Sequence, residues 1–203
     1  MEKLPLSFYQ RENVLGIARD LLGKLLVTKW NGIITSGRIV ECEAYAGLKD
    51  RASHAFGGRR TARNEMMYSE GGVAYIYLCY GIHHLFNVVT NMEEVPHAVL
   101  VRALQPVLGI VKMMQRTKKE STDNTKTSGP GNLTKALGIY TQHNGISLQG
   151  NEIFIADDGF EIKKKDIAAS PRIGVAYAGN DAGQLYRFFI KRNSFVSGKR
   201  KSH

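Results

Sequence analysis

Two glutamates and a tyrosine alternate within the segment GRIVECEAY. Because successive side chains of a β-strand point to opposite faces, Glu41, Glu43 and Tyr45 should share one face, with Val40 and Cys42 on the other. Two neighbouring carboxylates raise the pKa of at least one of them unless a cation intervenes, and such a group can act as a general base near neutral pH. The alternative is a pair of charges that only face solvent.

A long polar loop follows this segment and concentrates cationic side chains. It runs from Lys49 to Gly72 and carries His54, Arg59, Arg63 and Asn64 around the tetrapeptide GGRR. Guanidinium groups beside a glycine pair suit contacts with phosphates or with nucleic-acid bases. A structural histidine and ordinary surface arginines are the alternative, but the density of these groups in one loop favours a binding function.

Tyrosines dominate the next apolar run, YIYLCYG. Strand alternation predicts Tyr75 and Tyr77 on one face, and Tyr80 stands beside the turn residue Gly81. Core packing is the ordinary explanation for such rings. In a basic protein, however, tyrosines can stack on an unstacked base, and a bulky side chain at a turn can wedge into a duplex.

The composition narrows the choice of partner. Among 203 residues, 28 Lys and Arg outnumber 18 Asp and Glu, which gives a net charge of +10. The resulting positive potential attracts polyanions, so nucleic acid is the leading partner class. Neither a membrane span nor an apolar signal core is present in the sequence. With Cys42 and Cys79 read as free thiols in strands, we expect a cytoplasmic protein that does not associate with membranes.

Several kinds of chemistry lack their sequence motifs. The histidines form no zinc-type pair and the cysteines form no CxxC motif, so we expect no metal site. A GxSxG nucleophile elbow and a phosphate-binding P-loop are also missing. Activation of a single water by a carboxylate is the simplest remaining chemistry, and we expect no cofactor.

Periodicity and turn residues predict the elements that must position these groups. The expected strands are Leu25–Trp30, Gly37–Tyr45, Tyr75–Tyr80, Leu85–Val89 and Ala98–Ala103, with a hairpin turn at Asn31-Gly32 and an antiparallel meander at the end. The expected helices are Glu12–Leu22 and Val107–Arg116, followed by a mobile polar excursion at Lys118–Thr127. We therefore predict an α+β fold, one domain over residues 1–203, with a curved, mostly antiparallel sheet surrounded by helices and long loops. A disordered basic tail is expected from about residue 198.

Taken together, these motifs resemble the alkyladenine (3-methyladenine) DNA glycosylase family, of the methylpurine DNA glycosylase type. Order and spacing agree over nearly the whole chain. The segments that carry the resemblance are GRIVECEAYAG, GGRRTARN, YIYLCYG, VLVRALQP, SGP at 128–130, RIGV at 172–175 and LYRFF at 185–189. The sequence departs from the commoner family pattern at Cys42, where Thr is frequent.

The resemblance implies a catalytic set and a base pocket. Glu43 would be the general base that activates a water, and Arg102 and the backbone carbonyl near Ile173 would help to hold that water. A stacking pocket would be formed by Tyr45, His54 and Tyr77, with Asn87 at its floor.

The resemblance also implies DNA contacts. Tyr80 would fill the gap in the duplex left by the extruded nucleotide. Phosphates would be held by Arg59 and by the Ser128-Gly129 backbone, and further DNA contacts are expected from Arg63 and Asn64.

The implied function is that of a monofunctional DNA glycosylase of base excision repair, without AP-lyase activity. Its partner would be double-stranded DNA that contains alkylated or deaminated purines, such as 3-methyladenine, 7-methylguanine, hypoxanthine or ethenoadenine, and we expect a monomer. Two alternatives remain open at this stage. One is a non-catalytic nucleic-acid-binding module, and the other is a hydrolase of free nucleosides or sugars that uses Glu41 and Glu43.

Overall fold

The computed structural model describes residues 1–120 and 122–198. Its strands are β1 (Glu2–Lys3), β2 (Leu25–Trp30), β3 (Ile33–Tyr45), β4 (Ala74–Cys79), β5 (His83–Thr90), β6 (His97–Leu108), β7 (Ile153–Asp157), β8 (Ile167–Ser170) and β9 (Arg187–Ile190). Its α-helices are α1 (Leu6–Tyr9), α2 (Val14–Asp20), α3 (Ile110–Thr117) and α4 (Pro130–Leu137). Short 3₁₀ helices interrupt the connecting loops, as at Phe56–Gly58, Glu65–Tyr68 and Ala176–Gly183.

Nine strands of the described residues form one open antiparallel sheet. The strand order is β1-β7-β2-β3-β6-β5-β4, and β9 pairs both with the end of β3 and with β8. The strand β3 therefore lies in the middle of the sheet, with β6 along one edge and β2 and then β9 along the other. The predicted α+β fold with a mostly antiparallel sheet is confirmed.

Both predicted hairpin features are present. Asn31 and Gly32 join β2 to β3 with φ values of 51° and 80°, as a type I′ turn requires. The strands β4, β5 and β6 pair consecutively as the expected meander. These two units bring the acidic segment of β3 and the tyrosine-bearing strand β4 into the same sheet.

Helices cover one face of the sheet and complete the main core. The predicted early helix is confirmed as α2, whose apolar face buries Val14, Ile17 and Ala18. Leu21 follows as the last turn ends, and Gly23 leaves the helix with a φ of 87°. The apolar residues of α4 and the inward residues of β3, β5 and β6 pack into the same core.

The predicted start of the helix at Val107 was wrong, because α3 begins at Ile110. Val107 and Leu108 continue strand β6 rather than opening a helix, because Gly109 adopts a left-handed φ of 74° and only then does the helix begin. The polar excursion is partly anchored. Thr127 is buried, and its carbonyl accepts a 3.1 Å hydrogen bond from the backbone N–H of Leu104.

The predicted basic tail falls mostly on residues 199–203, which lie outside the described residues. Within the described part of the chain, no helix combines the length and the apolar character that a membrane crossing needs.

Candidate active site

A paired irregularity between β3 and β6 shapes the acidic end of the sheet. Ile39 pairs with Leu104, but the next pairs are Glu41 with Ala103 and Cys42 with Val101. Each strand therefore contributes one extra residue at this point, and on β6 the extra residue is Arg102. Such bulges redirect side chains at the expense of regular pairing.

This irregularity corrects one sequence-based prediction. Val40 does not join Cys42 in the main core, as simple alternation predicts, but packs with Ala103 and Val196 in a separate cluster. The extra residue means that the main core receives Ile39 and Cys42, three positions apart. Glu41 and Glu43 lie on the same side of the sheet, as predicted. A single guanidinium, that of Arg102, contacts both carboxylates.

Glu43 is fully buried and is held by three donors. Its Oε1 accepts a hydrogen bond of 2.7 Å from the backbone N–H of Ile173. Its Oε2 accepts one of 2.9 Å from the Tyr45 hydroxyl and a longer one of 3.3 Å from Nη1 of Arg102. Burial, and then the charge of Glu43, raises the pKa of Tyr45 well above its ordinary value, so this hydroxyl remains a donor at neutral pH. The three groups fix the orientation of the carboxylate.

The second carboxylate, Glu41, is also fully buried but lies in a different environment. Its Oε1 contacts Nε of Arg102 at 3.0 Å and Nε of Arg187 at 2.7 Å. Its remaining oxygen accepts a 2.6 Å hydrogen bond from the backbone N–H of Ser197. Paired charges of this kind satisfy a carboxylate and leave it little capacity for a ligand. Sequence reasoning did not identify Arg187 or Ser197.

The loop that carries Ile173 is fixed by a buried ion pair. Arg172 contacts Asp50 at 2.5 and 2.8 Å through its two terminal nitrogens, and it donates a 2.9 Å hydrogen bond to the carbonyl of Ala44. The guanidinium also lies over the ring of Tyr45. The position of Ile173 therefore depends on contacts with residues that lie more than one hundred positions earlier in the chain.

Aromatic side chains line a recess beside Glu43. The lining includes the predicted pocket residues Tyr45, His54, Tyr77 and Asn87, together with Tyr75 and Tyr177. The rings of His54 and Tyr77 meet edge to face at 4.7 Å between centroids, and Nδ1 of His54 lies 2.8 Å from the Tyr75 hydroxyl. The structure thus brings together all four residues expected to contact a base.

His54 is neutral at physiological pH. Burial, followed by the charges of Arg63 and Arg59, lowers the pKa of this imidazole from 6.5 to about 4. The amide nitrogen of Asn87 donates to the carbonyls of Tyr75 at 3.1 Å and Leu85 at 3.4 Å, which holds the side chain in place at the wall of the recess.

The recess adjoins a cleft of about 540 Å³ that the turn between β4 and β5 borders. Tyr80 lies in this turn with 88% of its surface exposed and a left-handed φ of 51°. Ile82, two residues later, is 71% exposed. Exposed apolar side chains that lie next to one another can form a binding patch, whereas single exposed ones need no explanation. Tyr80 therefore lies at the rim of the cleft and not in the core, and Ile82 is exposed two positions further along the same turn.

Among the residues that the structure describes, the predicted phosphate contacts fall into two groups. Arg59 and Arg63 lie in a second cavity with Arg51, and none of the three forms an ion pair with a described carboxylate. By contrast, Arg60 pairs with Glu65 at 2.7 Å and with Glu94 at 2.6 Å. Three unpaired guanidinium groups in one cavity attract an anion.

The other predicted DNA contacts have less exposed positions. Asn64 is buried, donates to the carbonyls of His54 and Arg59, and accepts hydrogen bonds from Thr61, so it orders the loop from within. Gly129 lines the cleft at the start of α4, and the neighbouring Ser128 is half-buried, with its carbonyl bound by Asn132 at 2.9 Å.

Tyr177 is a pocket residue that sequence reasoning missed. It is 69% exposed, lines the recess, the cleft and the arginine-rich cavity, and donates a 3.0 Å hydrogen bond to the carbonyl of Ala52. It lies in an irregular 3₁₀ segment, where no strand or helix periodicity marks a site. Its neighbour in space, Ala52, is distant in sequence.

Comparisons with known proteins show the family of the chain. The sequence model of the family "Methylpurine-DNA glycosylase (MPG)" matches residues 7–194. A protein of Clostridium acetobutylicum is 42% identical over 98% of this chain and 99% of its own length. A protein of Chlamydia felis is 44% identical over 92% of this chain and 95% of its own length. A protein of Bacillus cereus is 44% identical over 96% of this chain and 98% of its own length. All three carry the name "Putative 3-methyladenine DNA glycosylase". On the family match and these full-length likenesses, the chain belongs to the methylpurine-DNA glycosylase family.

Proposed function

We propose that this chain is a monofunctional DNA glycosylase that hydrolyses the bond between a damaged purine and deoxyribose in duplex DNA, with Glu43 as the general base. One observation carries the proposal. A buried carboxylate, fixed by Ile173, Tyr45 and Arg102, lies beside a recess lined with aromatic rings at the edge of an open cleft. This is the arrangement that water-driven cleavage beside a stacked base requires.

The hydrogen bonds of Glu43 leave one acceptor direction of the carboxylate unused. A carboxylate offers about four lone-pair directions. Oε2 uses both of its directions for Tyr45 and Arg102, whereas Oε1 receives one donor, the N–H of Ile173. The remaining direction on Oε1 would accept the proton of the water, and Arg102 with the carbonyl near Ile173 would hold that water.

The proposed reaction needs no further cofactor. The oxygen of the water attacks C1′ of the deoxyribose, one proton of the water passes to Glu43, and the electron pair of the glycosidic bond leaves with the purine. A cationic alkylated purine becomes neutral in this step, whereas a neutral purine such as hypoxanthine leaves as an anion and takes up a proton from solvent. The products are a free purine and an abasic site. An alkylated purine already carries positive charge, which is neutralised as the bond breaks, so the main demands are delivery of water and stabilisation of a cationic sugar. The carboxylate of Glu43 would meet both.

The recess suits an electron-poor base. In the proposed complex the purine stacks among Tyr45, His54 and Tyr77, whose faces attract a cationic ring. A protonated imidazole would oppose such a base, but burial and the neighbouring arginines hold the pKa of His54 at about 4. Asn87, held by two backbone carbonyls, would act at the floor of the pocket against the exocyclic amino group of guanine.

The remaining contacts would bind and deform the duplex. Tyr80 would enter the gap that the extruded nucleotide leaves, and Arg59, Arg63 and the Ser128-Gly129 backbone would bind phosphates. In this proposal Asn64 acts by ordering the arginine loop. Among the described residues that line the cleft there is no lysine, and this supports hydrolysis without a Schiff-base intermediate or AP-lyase activity.

A panel of duplex oligonucleotides tests the proposal. Each carries one lesion, 3-methyladenine, 7-methylguanine, hypoxanthine or ethenoadenine, and the products are free base and abasic strand. We expect free purine from at least one lesion and no strand break until alkali is added. Binding to these duplexes with no release of base would favour a non-catalytic module. Release of base from free nucleosides alone would favour the small-molecule hydrolase.

A further inference from the structure

The last described residues of the chain dock directly behind the candidate catalytic groups. Val196 is buried against Val40 and Ala103, at the irregularity of β3 and β6. Gly198 lies so close to Ile173 that a Cβ at this position would come within 2.8 Å of its Cδ1. These residues lie beyond position 194, where the family match ends.

Ser197 makes the polar contacts of this segment. Its backbone N–H donates to Oε2 of Glu41 at 2.6 Å, and its hydroxyl donates to Oε1 of the same carboxylate at 2.9 Å. Its carbonyl accepts a 2.7 Å hydrogen bond from Nη2 of Arg187. Both oxygens of the buried Glu41 are therefore fixed by one residue of the C-terminal segment.

Arg102 is shared between the two carboxylates and also contacts Ser197. Its Nε lies 3.0 Å from Glu41, and only one terminal nitrogen reaches Glu43, at 3.3 Å. The other terminal nitrogen is 3.4 Å from the hydroxyl of Ser197. A guanidinium otherwise tends to pair with a carboxylate through two parallel N–H groups. Such a pair with Glu43 would occupy the lone pair that the water requires.

We propose that Ser197 is a positioning residue, which holds Glu41 and thereby keeps Arg102 from closing onto Glu43. This inference rests on the proposed function of Glu43. Without the hydroxyl, Glu41 loses one donor and Arg102 loses one partner, so the guanidinium shifts towards Glu43. The consequence is slower chemistry on bound DNA, with unchanged DNA affinity, because Ser197 is buried away from the cleft.

Single-turnover excision by the full chain, with enzyme in excess over methylated duplex DNA, tests the proposal. We expect Ser197→Ala to lower the rate of methylpurine release by about tenfold, the effect of one hydrogen bond to a charged group. The Kd for the duplex should stay unchanged, and Ser197→Thr should restore most of the rate because it keeps the hydroxyl.

A matched control separates positioning from stability. Thr28 is a buried hydroxyl residue on β2 that bonds Thr35 at 2.7 Å and the carbonyl of Leu137 at 2.9 Å. Thr28→Val should lower Tm and leave the single-turnover rate of the folded enzyme unchanged. If Ser197→Ala does not fold, Ser197→Cys carries the test, since a thiol has a similar size but donates weakly.

The outcomes distinguish the two proposals. A wild-type rate for Ser197→Ala, or a rate loss that Ser197→Thr does not repair, overturns the positioning role while the proposed function stands. Release of no free purine by the wild-type chain overturns the proposed function, and the positioning role with it.

Discussion

The backbone N–H of Ile173 donates a 2.7 Å hydrogen bond to Oε1 of Glu43, although 130 positions separate the two residues in the chain. Glu43 comes from the central strand β3, and Ile173 comes from the loop after β8. The buried pair of Arg172 and Asp50 holds that loop in place. The geometry of the candidate base is therefore set by distant parts of the fold.

Binding to duplex DNA should depend steeply on salt. A footprint of about six phosphate contacts would lose affinity by about a thousandfold between 50 and 200 mM salt. Arg59→Ala should flatten this slope, because Arg59 has no carboxylate partner among the described residues. Arg60→Ala is the matched control and should change the slope little, since Arg60 is paired with Glu65 and Glu94. Equal slopes for wild type and Arg59→Ala would contradict the phosphate contact.

Replacement of Tyr80 should affect extrusion of the base rather than stability. The ring is 88% exposed, so Tyr80→Ala should leave Tm nearly unchanged. Extrusion costs a few kcal/mol and least at mispaired bases, so the variant should lose more activity on a matched duplex than on a mismatched one. Single-turnover rates on the two substrates measure the difference. A uniform loss of rate with a large drop in Tm would show a structural role instead.

Acid should destabilise the fold through His54. Its folded-state pKa of about 4 lies below the ordinary value of 6.5, so between these values the unfolded chain binds more protons than the folded one. The free energy of unfolding therefore falls as the pH falls from about 6.5 to 4. His97 and His143, whose pKa values burial also lowers, add to the same trend.

A variant isolates the contribution of His54. In His54→Gln the dependence of Tm on pH across this window should be shallower than in the wild type, because one titrating group is gone. Thermal unfolding at several pH values provides the measurement. A slope equal to that of the wild type would show that His54 is not held neutral in the fold.

Glu41→Gln should damage the protein chiefly through the network around Arg102. The change leaves Arg102 and Arg187 without their shared negative partner in a buried site. Removal of one member of a buried ion pair costs about 3 kcal/mol or more. We expect a clear drop in the free energy of unfolding in urea, together with slower excision. A variant as stable as the wild type would show that this network is dispensable.

Local patterns in the sequence were sufficient for strands β2 to β6 and helix α2, and they marked several residues of the candidate site. Alternation in GRIVECEAY placed Glu41 and Glu43 together, and Asn31-Gly32 marked a hairpin whose positive φ values the structure confirms. The order of the motifs also resembled a family to which the chain belongs. These features depend on residues that are close in sequence.

Other features depend on contacts that no local pattern reports. The position of Val40 follows from an irregular pairing with β6, which a strand does not reveal alone. Tyr177 and Ser197 reach the site from irregular segments, where neither helix nor strand periodicity marks an inward side. Asn64 is buried and bonds the backbone of its own loop, which its place in the sequence does not indicate.

The role of Glu43 as the general base can be measured directly. Wild type and Glu43→Gln are incubated in excess over a duplex that carries a single damaged purine, and the free base released in one turnover is quantified beside the Kd for the same duplex. The amide keeps the shape of the carboxylate but cannot take the proton of the water. We expect release by the wild type, a loss of at least about a hundredfold in Glu43→Gln, and a Kd that is unchanged or tighter. Release of free base by Glu43→Gln at the wild-type rate would show that Glu43 is not the general base.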